Sequence, residues 1–219
     1  MKEGKNNTVL LTVIGIATLL VAVVGATFAY FSAQLSGTEN QSTMTIQASN
    51  GGSSTLDGGQ AIVVKDIYPR DEAWVNKKIT ITYDNTTATS GTYDYNVGLH
   101  YTNGYQVVGS SYDIQYTITE GYCENKPEAT NQSACGTAGG TWYRNVDTQG
   151  SVTKQTATKT GIPAGTGDLT AIASGKIKLP ANGVKHYYTL RIYFVNDTTR
   201  NQIQGAEFTA YAMTEQVNG

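Results

Sequence analysis

Cys123 and Cys135 are the two residues whose type and spacing most directly indicate a chemical bond. An even number of cysteines favours a disulfide wherever a chain is exported to an oxidising compartment. The residues between them, 124–134, are polar and show no strand pattern. A metal site would need more ligands nearby, and no histidine lies close in the sequence. We therefore predict a Cys123–Cys135 disulfide around a surface loop, which would stabilise the fold by about 3 kcal/mol in the chain-entropy model.

The two histidines, His100 and His186, indicate neither a catalytic nor a metal site. They fall in separate predicted strands, and the chain contains no H-E-x-x-H motif of the zinc proteases. A G-x-S-x-G nucleophile motif is also absent, and a disulfide would remove both thiols as nucleophiles. We expect both histidines at the surface, because His100 lies on the polar face of its strand and His186 at the start of another. The sequence predicts no enzyme, no catalytic residue, no metal and no cofactor.

The abundant tyrosines make stacking on a sugar the second chemistry that the composition allows. The candidates are Tyr93, Tyr95, Tyr101, Tyr105, Tyr112 and Tyr116. In alternating strands, most such rings form a half-buried core with hydroxyls that reach the surface. A surface adhesin or carbohydrate-binding module is therefore an alternative to a purely structural role.

The elements that must position these residues show strand patterns, with no useful helical period after residue 35. Alternation or a short apolar run indicates strands at 43–48, 61–67, 78–83, 93–101, 113–119, 176–179, 186–195 and 206–213. Turn residues such as Asn182-Gly183 separate these runs. The pattern predicts an all-β chain, with an antiparallel β-sandwich of jelly-roll or Ig-like type over 49–219.

The segment 121–170 interrupts this rhythm. It carries both cysteines and then a sequence rich in Gly, Thr and Lys, with one short strand pattern at 141–145. We interpret the segment as a long insertion between core strands, closed by the predicted disulfide.

The first residues have the layout of an export signal. A short lysine-containing start precedes residues 9–31, an apolar run without a charge. Thr27 and Ala29 are small residues at the spacing that signal peptidase requires, which predicts cleavage between Ala29 and Tyr30. Such a signal places the rest of the chain outside the cytoplasm, secreted or at the cell surface.

Other fates of this apolar segment remain open. A second cleavage register ends at Ala26, and a pilin-type leader would be cut after Gly4. A run of about 20 apolar residues also suffices to span a bilayer. Residues 1–29 are therefore either a signal peptide or a membrane-anchor helix, and the chain meets a membrane only through them.

Charge is sparse along the chain, with 15% charged residues and a formal net charge of −2. No cluster of Lys and Arg marks a basic patch, so nucleic acid is not an expected partner. Low charge combined with abundant Thr, Asn and Gly is common in extracellular structural proteins.

Three segments, in order, carry a resemblance to a known family. The first is residues 24–32, VGATFAYFS, and the last is residues 201–216, NQIQGAEFTAYAMTEQ. Between them, residues 67–81, IYPRDEAWVNKKITI, match a turn of the form L-x-P-G-D leading into a strand, with Arg70 in place of the usual Gly. Together these segments resemble the TasA/camelysin family of exported bacterial matrix-fibre proteins, although residues 103–185 do not match.

The resemblance implies a jelly-roll-like subunit that polymerises with copies of itself into extracellular fibres. It also implies that the mature N-terminus, residues 30–48, serves as a donor strand for the sheet of the next subunit. The predicted assembly-strand residues are Phe31, Met44, Ile46 and Ala48. Head-to-tail addition of this kind does not close and therefore gives a filament. The alternative is that residues 43–48 pair within their own subunit.

The sequence thus predicts a structural subunit of an extracellular bacterial filament or biofilm matrix fibre. Its main partner would be itself, with the cell envelope and other matrix components as further partners. The alternative to a cleaved fibre subunit is a pilus-type or membrane-tethered surface subunit that keeps its N-terminal helix. Some camelysin-type relatives are described as metalloproteases, but this chain lacks the corresponding motif.

Overall fold

The computed structural model describes residues 15, 18, 43–47, 52–68, 70–104, 113–145, 147–195 and 207–217. The chain divides into two compact units, Met1–Asn40 and Gln41–Gly219. In the first unit the described residues are Gly15 and Thr18, which are helical and exposed.

The predicted signal segment otherwise lies outside the described residues. The same holds for its predicted cleavage site at Ala29 and Tyr30. In the part of the chain that the structure describes, no helix is both long and apolar enough to cross a bilayer.

The second unit is built from antiparallel strands, which confirms the all-β prediction. Its described strands are β1 (Thr43–Gln47), β2 (Ser53–Asp57), β3 (Ile62–Val64), β4 (Val75–Asn85), β5 (Thr92–Gly104), β6 (Ile114–Glu120), β7 (Tyr122–Glu124), β8 (Thr141–Tyr143), β9 (Gly150–Lys154), β10 (Thr156–Gly161), β11 (Gly165–Lys178), β12 (Ala181–Phe194) and β13 (Phe208–Val217). A short helix, α1 (Gln132–Thr137), lies between β7 and β8, and a turn of 3-10 helix (Asp147–Gln149) precedes β9.

Two of the sheets pack against each other as a β-sandwich. Sheet A has six strands in the order β1-β2-β4-β12-β6-β10, and sheet B has five in the order β3-β13-β5-β11-β9. One hydrophobic core draws residues from both sheets, so it lies between them. Strands β7 and β8 form a separate two-stranded ribbon.

Alternation along the strands fills this core, because successive side chains of a strand point to opposite faces of its sheet. In β5 the odd-numbered residues from 93 to 101 are at most 4% exposed: Tyr93, Tyr95, Val97, Leu99 and Tyr101. In β12 the even-numbered residues of the second half are fully buried: Tyr188, Leu190, Ile192 and Phe194. The inward faces predicted for these strands are therefore confirmed.

The insertion is shorter than the predicted 121–170. Residues 150–178 form β9, β10 and β11, which belong to the two main sheets, so the excursion covers 121–145. The short strand predicted at 141–145 is present as β8. The polar strands β9 and β10 show no apolar alternation in the sequence, because main-chain hydrogen bonds hold an edge strand without an apolar face.

One side of the sandwich is closed by a tight corner. Gln155 alone separates β9 of sheet B from β10 of sheet A, so the chain changes sheet within one residue. The side-chain oxygen of Gln155 accepts a hydrogen bond from the Glu120 amide over 3.0 Å, which fastens the corner to β6. The opposite side ends with β1 in sheet A and β3 in sheet B.

The pair Asn182-Gly183, predicted as a turn, lies inside β12. The ladder between β12 and β4 shifts register between Ala181 and Val184, and Gly183 has a φ of +60°. An extra residue in one strand is accommodated by such a β-bulge. The turn prediction was therefore wrong, and the connection from β11 to β12 is Leu179-Pro180.

Candidate functional site

The edge of sheet B formed by β3 and β13 is the candidate assembly site. Strand β13 pairs with β5 along residues 209–217, but with the three-residue β3 only along 208–210. Within the described ranges, no strand pairs with the β3 side of β13 from 211 to 217. Backbone N–H and C=O groups along such a half-edge can accept a further strand. No pattern in the sequence marked this half-edge.

The segment predicted to form part of the assembly strand is an edge strand of sheet A. In β1, Met44 lies opposite Leu56 of β2, and Ile46 lies opposite Ser54. Residues 43–47 therefore pair within their own chain, the arrangement given above as the alternative to donation. The other two predicted assembly residues, Phe31 and Ala48, lie outside the described residues. Strand β1 lies near β13 of the facing sheet, so the two edges share one side of the sandwich.

The short strand β3 carries both an apolar and a charged feature at this edge. Val63 is 56% exposed. Lys65 follows the strand and forms an ion pair with Glu207, with a separation of 2.9 Å between Nζ and Oε1. An exposed pair of this kind adds little to stability, but charge beside an edge strand opposes indiscriminate pairing.

A groove of about 400 Å³ runs beside β3, lined by residues 58–63 and 75–78. Lys77 lies in its wall and donates a hydrogen bond from Nζ to the carbonyl oxygen of Gln60. Burial lowers the pKa of Lys77 from 10.5 to about 8, and the Asp57 carboxylate partly offsets this effect. The groove therefore places a partly desolvated amine next to the edge of sheet B.

The Cys123–Cys135 disulfide is present and confirms the prediction from cysteine spacing. The two Cα atoms are 5.7 Å apart, within the range that a disulfide spans. Both cysteines are fully buried, in a small cluster with Ala129 and the partly buried Trp142. The bond joins β7 to α1, whose N-cap Asn131 accepts a hydrogen bond from the Ala134 amide over 2.9 Å. The predicted surface loop thus has a small core of its own.

His186 is fully buried, so the prediction of a surface histidine was wrong. Its Nδ1 lies 2.6 Å from the hydroxyl of Tyr95, which lies 2.8 Å from the hydroxyl of Tyr188. Burial lowers the pKa of His186 from 6.5 to about 4, so the ring is neutral at pH 7. The signal was in the sequence, since residue 186 has the same parity as the inward-facing Tyr188 and Leu190.

The other side of the His186 ring faces Gly150, where β9 begins. No described group forms a hydrogen bond with Nε2, and a Cβ at position 150 would lie 3.0 Å from it. Gly150 also has a φ of +151°, which favours glycine. The imidazole thus fills space between the two sheets, with its Nδ1 in contact with the Tyr95 hydroxyl.

His100 lies on the outer face of sheet B, as its position on the polar face predicts. Its Nδ1 is 2.6 Å from Oδ1 of Asp168, and its ring stacks on Tyr211 with centroids 4.8 Å apart. Across the described residues, no group of three or more His, Cys, Asp or Glu side chains is close enough to hold a metal ion. The two histidines are not brought together, since one lies in the core and the other on an outer face.

The tyrosines proposed for sugar stacking are mostly core residues. Tyr93, Tyr95, Tyr101 and Tyr116 are at most 6% exposed, and Tyr105 and Tyr112 lie outside the described residues. Buried rings cannot stack on a ligand, so these four do not form a carbohydrate platform. Two other tyrosines, Tyr143 and Tyr187, line a cleft on the outer face of sheet A beside the disulfide-closed insertion.

Comparison with known proteins adds no family. No family model matches the chain, and no curated protein matches it. A solved structure of AvmM, described as catalysing macrocyclization in alchivemycin A biosynthesis, superposes with a TM-score of 0.25 at 9% sequence identity. That superposition covers 73% of this chain and 74% of the other, and at so low a score it carries no argument about fold or function.

Proposed function

We propose that this chain is the structural subunit of an extracellular bacterial filament, assembled head to tail by addition of a strand from one subunit to the sheet of the next. The observation that carries the proposal is the half-edge of β13, residues 211–217, which has a strand partner on one side only in the described part of the chain. An added strand would satisfy its backbone groups.

A jelly-roll topology is part of the proposal. The strands β3-β13-β5-β11 of one sheet face β4-β12-β6-β10 of the other, so each of the last two strands lies between two earlier ones. This order is the one expected for an eight-stranded sandwich wound from two Greek keys. In that frame β3 is the first strand, and it covers only 208–210 of β13. A longer first strand would also pair with residues 211–217 of β13. A donated strand from another subunit could supply this missing pairing.

The donated segment would come from residues 30–48. Strand β1 is held by β2 alone within the sheet, and as an edge strand it can exchange without breaking a central ladder. Release of β1 from one subunit and addition to the next would conserve strand pairing while linking the two. Because donor and acceptor surfaces differ, the interaction is heterologous and propagates as a filament.

The experiment compares the exported, processed chain with a variant that lacks residues 31–48. Negative-stain microscopy should show filaments of the processed chain and none of the deletion variant. Circular dichroism should show that the deletion variant is a soluble, β-rich protein. A synthetic peptide of residues 30–48, added to the full chain, should cap growing ends and shorten the filaments. A peptide of equal length carrying Met44→Asp and Ile46→Asp is the matched control and should leave filament length unchanged.

Two results would contradict strand donation. One is filament formation by the variant that lacks 31–48. The other is a processed full-length chain that stays monomeric at high concentration, with residues 30–48 folded onto its own body. Mass determination of the N-terminus separates the cleaved fibre subunit, which begins at Tyr30, from a pilus-type or membrane-tethered subunit that retains residues 1–29.

A further inference from the structure

A cleft of about 420 Å³ opens on the outer face of sheet A and shares Gly59 and Lys78 with the groove beside β3. Thr80 and Thr82 of β4 form its floor, since they alternate with the core residues Ile79 and Ile81. Its walls include the rings of Tyr143, from the insertion, and Tyr187, from β12. The volume falls within the range of about 300–1,000 Å³ that is usual for small-molecule sites.

The ring of Tyr187 has a fixed backbone beneath it. Its amide donates to the side-chain oxygen of Asn145 over 2.6 Å, and its carbonyl accepts from the Gly121 amide over 2.8 Å. These two partners are the two ends of the insertion. The disulfide-closed insertion is therefore fastened to the sheet at the residue that forms the cleft wall.

The two wall tyrosines are neighbours, and a lysine fixes their rings. Their ring centroids are 5.2 Å apart, with planes tilted by 35°. The Lys78 ammonium lies 4.7 Å from the Tyr143 centroid and 5.9 Å from that of Tyr187. Cation–π contacts of this kind hold both rings in one orientation before a ligand arrives, which lowers the entropic cost of binding.

The charges around the cleft balance one another. Lys78 Nζ lies 3.1 Å from Oε2 of Glu124, so its charge is already paired. Lys185 lines the cleft on one side and Asp57 on another, with opposite signs. A strongly anionic or cationic ligand would gain little here. A ligand rich in hydroxyl groups would meet threonine hydroxyls, an ammonium and a carboxylate, all able to form hydrogen bonds with it.

From these features we infer that the cleft binds a neutral hexose oligosaccharide, with its pyranose rings stacked on Tyr143 and Tyr187. Tyrosine rings present flat apolar faces to the C–H face of a sugar and a hydroxyl at the rim. The polar floor then meets the sugar hydroxyls. Such a site would attach the proposed fibre to a polysaccharide, but the binding itself does not depend on assembly.

The test is isothermal titration calorimetry of the full processed chain with cellotetraose, maltotetraose and mannotetraose. We expect at least one of these neutral probes to bind. Tyr143→Ala and Tyr187→Ala should each weaken that binding about tenfold, the size of one aromatic stacking contact. Tyr143→Phe keeps the ring and should bind like the wild type.

Tyr193→Ala is the matched control. Tyr193 is also a partly buried tyrosine of β12, and Lys159 Nζ lies 4.3 Å from its ring, but it does not line the cleft. Binding should be unchanged in this variant. Thermal unfolding of each variant identifies any loss of fold. If an alanine variant at Tyr143 or Tyr187 is unfolded, Lys185→Ala should show weakened binding and Tyr143→Phe should bind like the wild type.

Three results would overturn the inference. The first is failure of every neutral probe to bind, and the second is an equal loss of affinity in Tyr187→Ala and Tyr193→Ala. The third is binding of the anionic tetragalacturonate alone, with affinity lost in high salt, which would indicate charge rather than stacking. Assembly is scored separately by microscopy. Filaments without sugar binding therefore reject only the cleft, and sugar binding without filaments rejects only the proposed function.

Discussion

The guanidinium Nη2 of Arg191 donates to the carbonyl oxygen of Ala129 over 2.8 Å, so a residue of the interior strand β12 holds the disulfide-closed insertion onto sheet A. The same nitrogen lies 3.3 Å from the Pro127 carbonyl, and Nη1 lies 3.3 Å from the Thr119 hydroxyl. Arg191 is only 4% exposed, and this burial lowers its pKa. A buried cation is tolerated here because carbonyl and hydroxyl oxygens surround it.

Replacement of Arg191 by methionine should therefore destabilise the protein. The variant keeps a long apolar stem but leaves the carbonyls of Pro127 and Ala129 without their donor. We expect a loss of about 2 kcal/mol in the free energy of unfolding, measured by chemical denaturation. Arg144→Met is the matched control, since Arg144 belongs to the same insertion but is exposed. Equal losses in the two variants would show that the buried hydrogen bonds do not matter.

Replacement of both Cys123 and Cys135 by serine should loosen the insertion while leaving the two main sheets folded. The expected loss of stability is about 3 kcal/mol in the chain-entropy model. Hydrogen exchange should speed up in β7, α1 and β8 and stay slow in β5 and β12. The reason is that the cluster around the disulfide is separate from the main core. Collapse of protection in β5 would show instead that the insertion is part of the folding core.

The stability of the fold should depend on pH through His186. In the unfolded chain this histidine takes up a proton near pH 6.5, whereas in the folded chain it does so only near pH 4. Stability is therefore independent of this group above pH 6.5 and falls as the pH drops towards 4, by about 3 kcal/mol in all. His186→Gln should abolish this loss. The difference between the wild-type and variant pH profiles of the free energy of unfolding, measured by denaturation at each pH, then gives the contribution of His186.

His100→Gln is the control for that experiment, because His100 lies on an outer face and contacts Asp168. Its profile should keep the loss between pH 6.5 and 4 that the wild type shows. A His186→Gln profile parallel to the wild type over this range would mean that the buried ring does not resist protonation.

Tyr95→Phe should destabilise the centre of the sandwich. The Tyr95 hydroxyl lies between His186 and Tyr188, and burial raises its pKa, so it remains protonated and able to donate. Its removal takes a buried hydrogen-bond partner from Nδ1 of His186, at a cost of about 1–3 kcal/mol. Tyr193→Phe is the control, because its hydroxyl has only a 3.4 Å contact with Thr117. A stability of Tyr95→Phe equal to that of the control would argue against the network.

Much of the fold could be predicted from local patterns. The alternation in β5 and β12 identified their inward faces, because a side chain's direction in a strand depends only on its parity. The even number of cysteines in a chain with an export signal predicted the Cys123–Cys135 disulfide. The same parity rule places His186 on the inward face, although a histidine at the start of a strand is more often a surface residue.

Local patterns along the chain were enough to predict the all-β class, the disulfide and the inward faces of the apolar strands, because each depends on residues close in the sequence. Which strands lie at the edges is visible in the folded sheets alone, since polar strands such as β10 pair through their backbone and leave no side-chain pattern. Three features depend on which distant segment lies opposite a residue. They are the half-edge of β13, the burial of His186 against Gly150 and the contact between the rings of Tyr143 and Tyr187. Such placement follows from the packing of the two sheets and the insertion, which local periodicity does not encode.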